Sequence, residues 1–146
     1  MKKLEIYSDS ACNNKLEESP MGIGIHAQFR GREIHSMCYN AGIGTSNIGE
    51  WIGCIEALLY AASVYKDYDE IHLYSDSQLI VRQLTGEYRV KQEHLKPYRA
   101  KAIEVLNRIP PSKFSGITWI KRDKNQRADD LSKEGLQKEP TKVKWL

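Results

Sequence analysis

The period of the apolar positions changes several times along the chain, and each change marks an element. Lys3–Asp9 alternates weakly and reads as a first strand. Met21–Phe29 and Glu33–Tyr39 alternate with period two, and Arg30-Gly31-Arg32 makes the hairpin turn between them. Ala11–Pro20, with Asn13-Asn14-Lys15, reads as a polar loop, and Ala41-Gly42-Ile43-Gly44 is expected to break the sheet. Thr45–Tyr65 then carries a long helical period. Ile48, Trp51, Ile52, Ile55, Leu58, Leu59 and Ala62 form one broad stripe at about 100° per residue. Nearly opposite lie the small residues Gly53, Cys54, Ala57 and Ala61, a face that Glu50 continues. Gly49, Glu56, Tyr60 and Ser63 fill the remaining strip, which is expected to face solvent. A helix apolar on two faces is sandwiched, and its small face suits close approach to a sheet. Glu50 is therefore expected to point from the first turn toward the sheet edge, and Glu56 into water.

Glu70–Gln78 (E-I-H-L-Y-S-D-S-Q) opens as a strand and ends at a helix start, with Ser77 placed to cap the helix from Leu79 to Gly86. Tyr88–His94 is a polar connector. Pro97 suits the first position of the next helix, which buries Tyr98, Ala102, Leu106 and Ile109 and ends at Pro110-Pro111. Phe114–Lys121 is a fifth strand, Asp123-Lys124-Asn125 a tight turn and Gln126–Gly135 a last helix. On that helix Ala128, Leu131 and Ser132 face inward, Asp129 borders the stripe and Asp130 points away. The order β-β-β-α-β-α-α-β-α predicts an α/β fold: a five-stranded mixed sheet, three strands antiparallel and two parallel, with helices on both faces. One domain over 1–137 and a short tail, Lys138–Leu146, account for the chain.

Candidate chemistry begins with an echo. Tyr-Ser-Asp-Ser occurs as Tyr7–Ser10 and again as Tyr74–Ser77, each at a strand's end. If the two strands are parallel neighbours, Asp9 and Asp76 sit side by side, where open α/β sheets bind ligands. Glu50 and Asp129, at two helix starts, are the other candidates. Capping and the helix dipole would account for Asp76 and Asp129 without any site. Neither accounts for Glu50 on a close-packed face. Four converging carboxylates repel unless hard divalent cations lie among them, and such a cage with two ions is a phosphodiester-cleaving device.

Composition narrows the setting. The 146 residues, 40% hydrophobic and 28% charged, suit one soluble domain. No apolar run approaches the roughly 20 residues of a membrane span, and Met1-Lys2-Lys3-Leu4 is followed by no apolar h-region or cleavage site, so secretion is not expected. Cys12, Cys38 and Cys54 are scattered, without zinc-site spacing, so a cytoplasmic, reduced protein is expected. The net charge of +3 says little, but basic residues dominate from Arg82 to Arg127, which suits a polyanionic partner as well as it suits the solvated face of ordinary helices.

These motifs resemble type 1 ribonuclease H over roughly Lys3–Gly135. The family's four carboxylate motifs read here, in order, as Asp9-Ser10-Ala11-Cys12, Thr45-Ser46-Asn47-Ile48-Gly49-Glu50, Asp76-Ser77-Gln78 and Asn125-Gln126-Arg127-Ala128-Asp129. The resemblance implies hydrolysis of the RNA strand of RNA–DNA hybrids to 5′-phosphate and 3′-hydroxyl ends. It implies two Mg²⁺ ions, with Mn²⁺ as a substitute. Asp9 would bridge both ions, Asp129 would serve the ion that activates water, and Glu50 and Asp76 the ion at the leaving oxygen. Thr45 would contact a phosphate of the DNA strand. Ser46, Asn47 and Gln78, with Ser10, Cys12 and Asn13, would be the other hybrid contacts, some at the 2′-hydroxyls that distinguish RNA from DNA. Ser10 departs from the family's usual glycine and Ser46 from its asparagine. Arg122-Asp123-Lys124 stands in a short loop where many members have a histidine, and Tyr88–His94 is too short for the basic handle of some. The expectation is a compact, archaeal-like, monomeric enzyme without a membrane partner. A nuclease on double-stranded RNA or junctions and a non-catalytic hybrid-binding module remain the alternatives.

Overall fold

A computed structural model describes residues 1–13 and 18–145. The central sheet has the order β3-β2-β1-β4-β5. β1 (Lys3–Cys12), β2 (Ser19–Phe29) and β3 (Arg32–Gly44) pair antiparallel, while β4 (Glu70–Ser75) joins β1 in parallel and β5 (Phe114–Trp119) joins β4 in parallel. The expected mixed sheet is therefore the observed one. Four helices complete the fold: α1 (Ser46–Val64), α2 (Gln78–Thr85), α3 (Lys96–Leu106) and α4 (Gln126–Leu136).

Alternation along β2 separates the two layers. Ile23, Ile25 and Ala27 are buried on the α1 side, where Leu4, Ile6, Trp51, Ile55, Leu58, Ile71 and Leu73 build the core. Gly22 and Gly24 face α4 instead. A Cβ on Gly24 would stand 2.5 Å from the backbone nitrogen of Ser132, so only glycine lets α4 lie this close to the sheet. On the other side a Cβ on Gly53 would meet the Asp9 carbonyl oxygen at 3.3 Å, so the small-residue face of α1 does pack on β1 as its spacing implied.

Three expectations need correction. Ala41–Gly44 does not break the sheet, because β3 runs on to Gly44. The Asn40 side chain accepts from the backbone nitrogen of Gly42, whose φ of 87° absorbs the irregularity while pairing with Ser19 and Pro20 continues. Gly49 is buried rather than in solvent, against the Ser10 side chain and Met21. Glu56 is half-buried, because Tyr39 of β3 lies over it and donates a hydrogen bond to it. That bond and burial, burial foremost, push the Tyr39 hydroxyl far above its ordinary pKa. Of the polar loop expected over Ala11–Pro20, residues 14–17 lie outside the described residues, and both of its ends belong to strands.

The segment after α4 folds back. Pro140 bridges Asn40 at the edge of β3, the backbone nitrogen of Thr141 donates to the Asn40 carbonyl at 2.8 Å, and Val143 is buried with Met21, Ile23 and Ile52. Among the described residues no helix is long and apolar enough to cross a membrane.

Candidate active site

The echoed tetrapeptides are in register. Tyr7 pairs with Tyr74 and Ser8 with Ser75, so Asp9 and Asp76 emerge together where the parallel pair ends. Two caps fix the elements around them. Thr45 Oγ1 accepts from the Ile48 nitrogen at 3.3 Å and starts α1, which presents Glu50 one turn later. Ser77 Oγ accepts from the Ile80 nitrogen at 3.3 Å and starts α2 just beyond Asp76. The Trp119 indole donates to the Asp76 carbonyl at 3.2 Å and ties the end of β4 to β5.

Asp9, Glu50 and Asp76 each offer a carboxylate oxygen within 4.8 Å of the other two. The electrostatic consequence falls on Asp9, which is 5% exposed. Burial first, then the charges of Glu50 and Asp76, push its carboxyl up to about 9, against a 2.8 Å hydrogen bond from the Ser10 nitrogen. Asp76 is raised as well, chiefly by burial, while hydrogen bonds with Asn125 and Asp9 and the charge of Arg122 pull it down. Three hard oxygen donors this close together, with the charges of Glu50 and Asp76 raising the pKa of Asp9, match a divalent oxygen-seeking cation. The donor set therefore fits the metal that the sequence implied.

Asp129 stands apart. It is buried on α4, but its Oδ2 accepts from Lys133 Nζ at 2.9 Å and its Oδ1 lies 4.0 Å from Arg122. Its charge still reaches Asp9 and Asp76, as a minor part of what raises each. The neighbouring Asp130 is exposed and takes a hydrogen bond from Gln126, as the helical wheel indicated.

One cleft of about 520 Å³ gathers these groups: Asp9, Glu50, Asp76 and Asp129 line it with Ser10, Cys12, Asn13, Ser46 and Asn47. Of the expected hybrid contacts, Gln78 is exposed at the start of α2, and Thr45 serves as the α1 cap; neither lines the cleft. The Cys12 thiol meets the Ser19 hydroxyl at 2.9 Å, which ties the ends of β1 and β2 together. Three contributors escaped the sequence reading. Asn125, 1% exposed, donates to the Ser8 carbonyl at 2.9 Å, which ties the start of α4 to β1, and it helps to hold down the pKa of Asp76. Lys133 and Arg122 also line the cleft. The spacing of Asp129 and Lys133, four apart on a helix, was a visible signal of their ion pair.

The basic tract from Arg82 to Arg127 is partly consumed within the fold. Arg82 pairs with Glu87, Lys96 with Glu93, Lys101 and Arg108 with Glu104, and Arg127 with Glu33. Arg89, Lys91, Lys121 and Lys124 keep no ion-pair partner among the described residues.

Comparison with known proteins gives a family. The sequence profile described as "Reverse transcriptase-like" matches residues 7–135. A putative hydrolase, EbsB, of Enterococcus faecalis is 29% identical over 135 residues, 92% of this chain and 95% of that protein. Ribonuclease HI of Halobacterium salinarum is 37% identical over 95 residues, 65% of this chain but 45% of the relative. Among solved structures, the ribonuclease H1 of that archaeon superimposes with a TM-score of 0.82 at 30% identity, covering 92% of this chain and 97% of that one. LC11 ribonuclease H1, isolated from compost and solved with an RNA/DNA hybrid, gives 0.81 at 32% identity over 91% and 96% of the two chains. With its sheet order, its three clustered carboxylates and these likenesses taken together, the chain belongs to the reverse transcriptase-like family, among its type 1 ribonuclease H members.

Proposed function

We propose that this protein is a divalent-metal-dependent endoribonuclease that hydrolyses the RNA strand of RNA–DNA hybrids, leaving 5′-phosphate and 3′-hydroxyl ends. The observation that carries the reading is the convergence of Asp9, Glu50 and Asp76 within 4.8 Å at the end of the β1–β4 pair. The hybrid seen with LC11 ribonuclease H1 supports the choice of substrate.

In this reading Asp9, Glu50, Asp76 and Asp129 hold two divalent ions, Mg²⁺ with Mn²⁺ as a substitute. Bound there, such ions lower the pKa of an attacking water and stabilise charge on the phosphoryl and leaving oxygens. The chain's own groups do the rest. Asp9 comes from the sheet between the α1 and α4 layers, so it faces the carboxylates of both. Asn125 holds the end of β1 to the start of α4 through its bond to the Ser8 carbonyl and lowers the pKa of Asp76. Burial of Asp9 and Asp129 keeps water from competing for the oxygens they present. Ser10, Asn13, Ser46 and Asn47 line the cleft with hydroxyl and amide groups able to meet 2′-hydroxyls and phosphates. Thr45, Cys12 and Gln78 complete the contacts along the rim. A monomer acting in the cytoplasm belongs to the same reading.

The test is a panel of end-labelled duplexes, RNA–DNA, RNA–RNA and DNA–DNA, incubated with Mg²⁺, Mn²⁺ or EDTA. Cutting confined to the RNA of the hybrid, lost in EDTA, is expected. Preferred cutting of RNA–RNA would transfer the site to another substrate, and tight hybrid binding without cutting in either ion would make the protein a binding module.

A further inference from the structure

Three of the four cleft carboxylates form a group, and the fourth is held by cations of the protein itself. Asp129 has a side chain 9% exposed, with the Lys133 ammonium on one oxygen at 2.9 Å and Arg122 Nη2 4.0 Å from the other. Both cations are surface residues: their side chains are 59% and 72% exposed. The pairing is thus lopsided, a buried acceptor facing a donor that is mostly in water. Lys133 can leave at little cost to itself, because its ammonium regains water when it swings out. Asp129 cannot be left alone so cheaply, because a buried carboxylate needs a partner. Whichever cation is present takes that place.

We propose that Lys133 is a displaceable counter-ion of Asp129, whose ammonium occupies the place from which Asp129 would hold a divalent ion. The consequence is competition. While Lys133 is docked, Asp129 is screened from the cleft. An ion on the Asp129 side must displace the ammonium, so it binds more weakly than it would at Asp129 without Lys133. Lys133 is therefore a positioning residue that sets the cation concentration at which the second half of the site fills. Arg122, farther away and more exposed, contributes less. This inference rests on the proposed reading of the cleft as a divalent-metal site.

The test reads metal binding, without turnover. Mn²⁺ is titrated into the whole protein, with no nucleic acid, and followed by electron paramagnetic resonance of the free ion. Removing one partly exposed charge corresponds to an effect of about two- to fivefold. Lys133→Met is expected to tighten one Mn²⁺ binding event by that factor and to leave any other unchanged. Lys133→Arg, which keeps the charge, is expected to bind as the wild type does. Thermal midpoints in EDTA identify a merely structural bridge, which would lower the midpoint of Lys133→Met and leave Mn²⁺ affinity alone. Unchanged or weakened Mn²⁺ binding in Lys133→Met overturns the proposal, as would equal tightening in Lys133→Arg. Binding of no Mn²⁺ by the wild type would overturn the metal reading itself, and this inference with it.

Discussion

Asp76→Asn separates the two jobs of a carboxylate in this cleft, holding a cation and repelling its neighbours. The substitution keeps the side chain's shape and removes one unit of charge from a group whose oxygens lie within 4.8 Å of one another. Two unit charges at that spacing, in surroundings with an effective dielectric of about 20, interact by about 3 kcal/mol. For a cation attracted to the group, losing one such term weakens its hold roughly a hundredfold. Cleavage at moderate Mg²⁺ should fall by two orders of magnitude or more. Hybrid binding should persist or tighten, since one negative charge beside a phosphodiester backbone has gone. Folding should also persist: in EDTA the thermal midpoint should equal or exceed that of the wild type, while added Mg²⁺ should raise the wild type's midpoint more. Single-turnover cleavage, a filter-binding isotherm and two melting curves measure all three. A variant that cuts normally, or one that cuts poorly because it no longer folds in EDTA, refutes this reasoning.

Other substitutions test the surrounding geometry. Glu50→Gln should abolish most cleavage, whereas Glu56→Gln should keep it and lose about 0.5–1.5 kcal/mol of stability, because Tyr39 then donates to a neutral acceptor; equal cleavage loss from the two would contradict the helix assignment. Gly24→Ala sets a Cβ 2.5 Å from the Ser132 nitrogen, so it should cost about 1–3 kcal/mol by denaturant unfolding and reduce cleavage by shifting the helix that carries Asp129. Removal of residues after Gln137 strips Val143 and Trp145 from Met21, Ile23 and Ile52 and should cost about 2–4 kcal/mol, yet leave activity at low temperature, since none of the described ones lines the cleft. With several of the basic residues paired internally, hybrid affinity should fall with salt at a log–log slope of about three to five, from a similar number of phosphate contacts; a slope near ten would mean a far larger footprint.

The parts of this site that depend on short-range repetition were legible in the sequence. The Tyr-Ser-Asp-Ser echo put Asp9 beside Asp76, because parallel neighbours with the same pattern align the same residues. Helical spacing separated Glu50 from Glu56 and Asp129 from Asp130. What escaped was set by contacts distant in sequence. Glu56 sits on a solvent-side strip of α1, yet β3 packs so that Tyr39 lies over it, a contact that no helical wheel shows. Gly49 was misplaced because a residue without a side chain carries little weight in an amphipathic pattern, though its neighbours Ser10 and Met21 come from other strands. The continuation of β3 past Gly42 depended on a hydrogen bond from the Gly42 nitrogen to the Asn40 side chain that no alternation reveals. Asn125 announced a helix start, but its bond to Ser8, 117 positions away, is a product of the finished fold.

The most direct test of the central claim is single-turnover cutting of one RNA-labelled RNA–DNA hybrid by the wild type and by Asp9→Asn, first in EDTA and then after excess Mg²⁺. Asp9 is the carboxylate buried between the other two groups, so its charge should be indispensable. The account predicts no cutting by either protein in EDTA. Adding Mg²⁺ should restore cutting only in the wild type, with every RNA product ending in a 5′-phosphate or a 3′-hydroxyl at the cut. Cutting by the wild type in EDTA, or by Asp9→Asn at the wild-type rate in Mg²⁺, would contradict it.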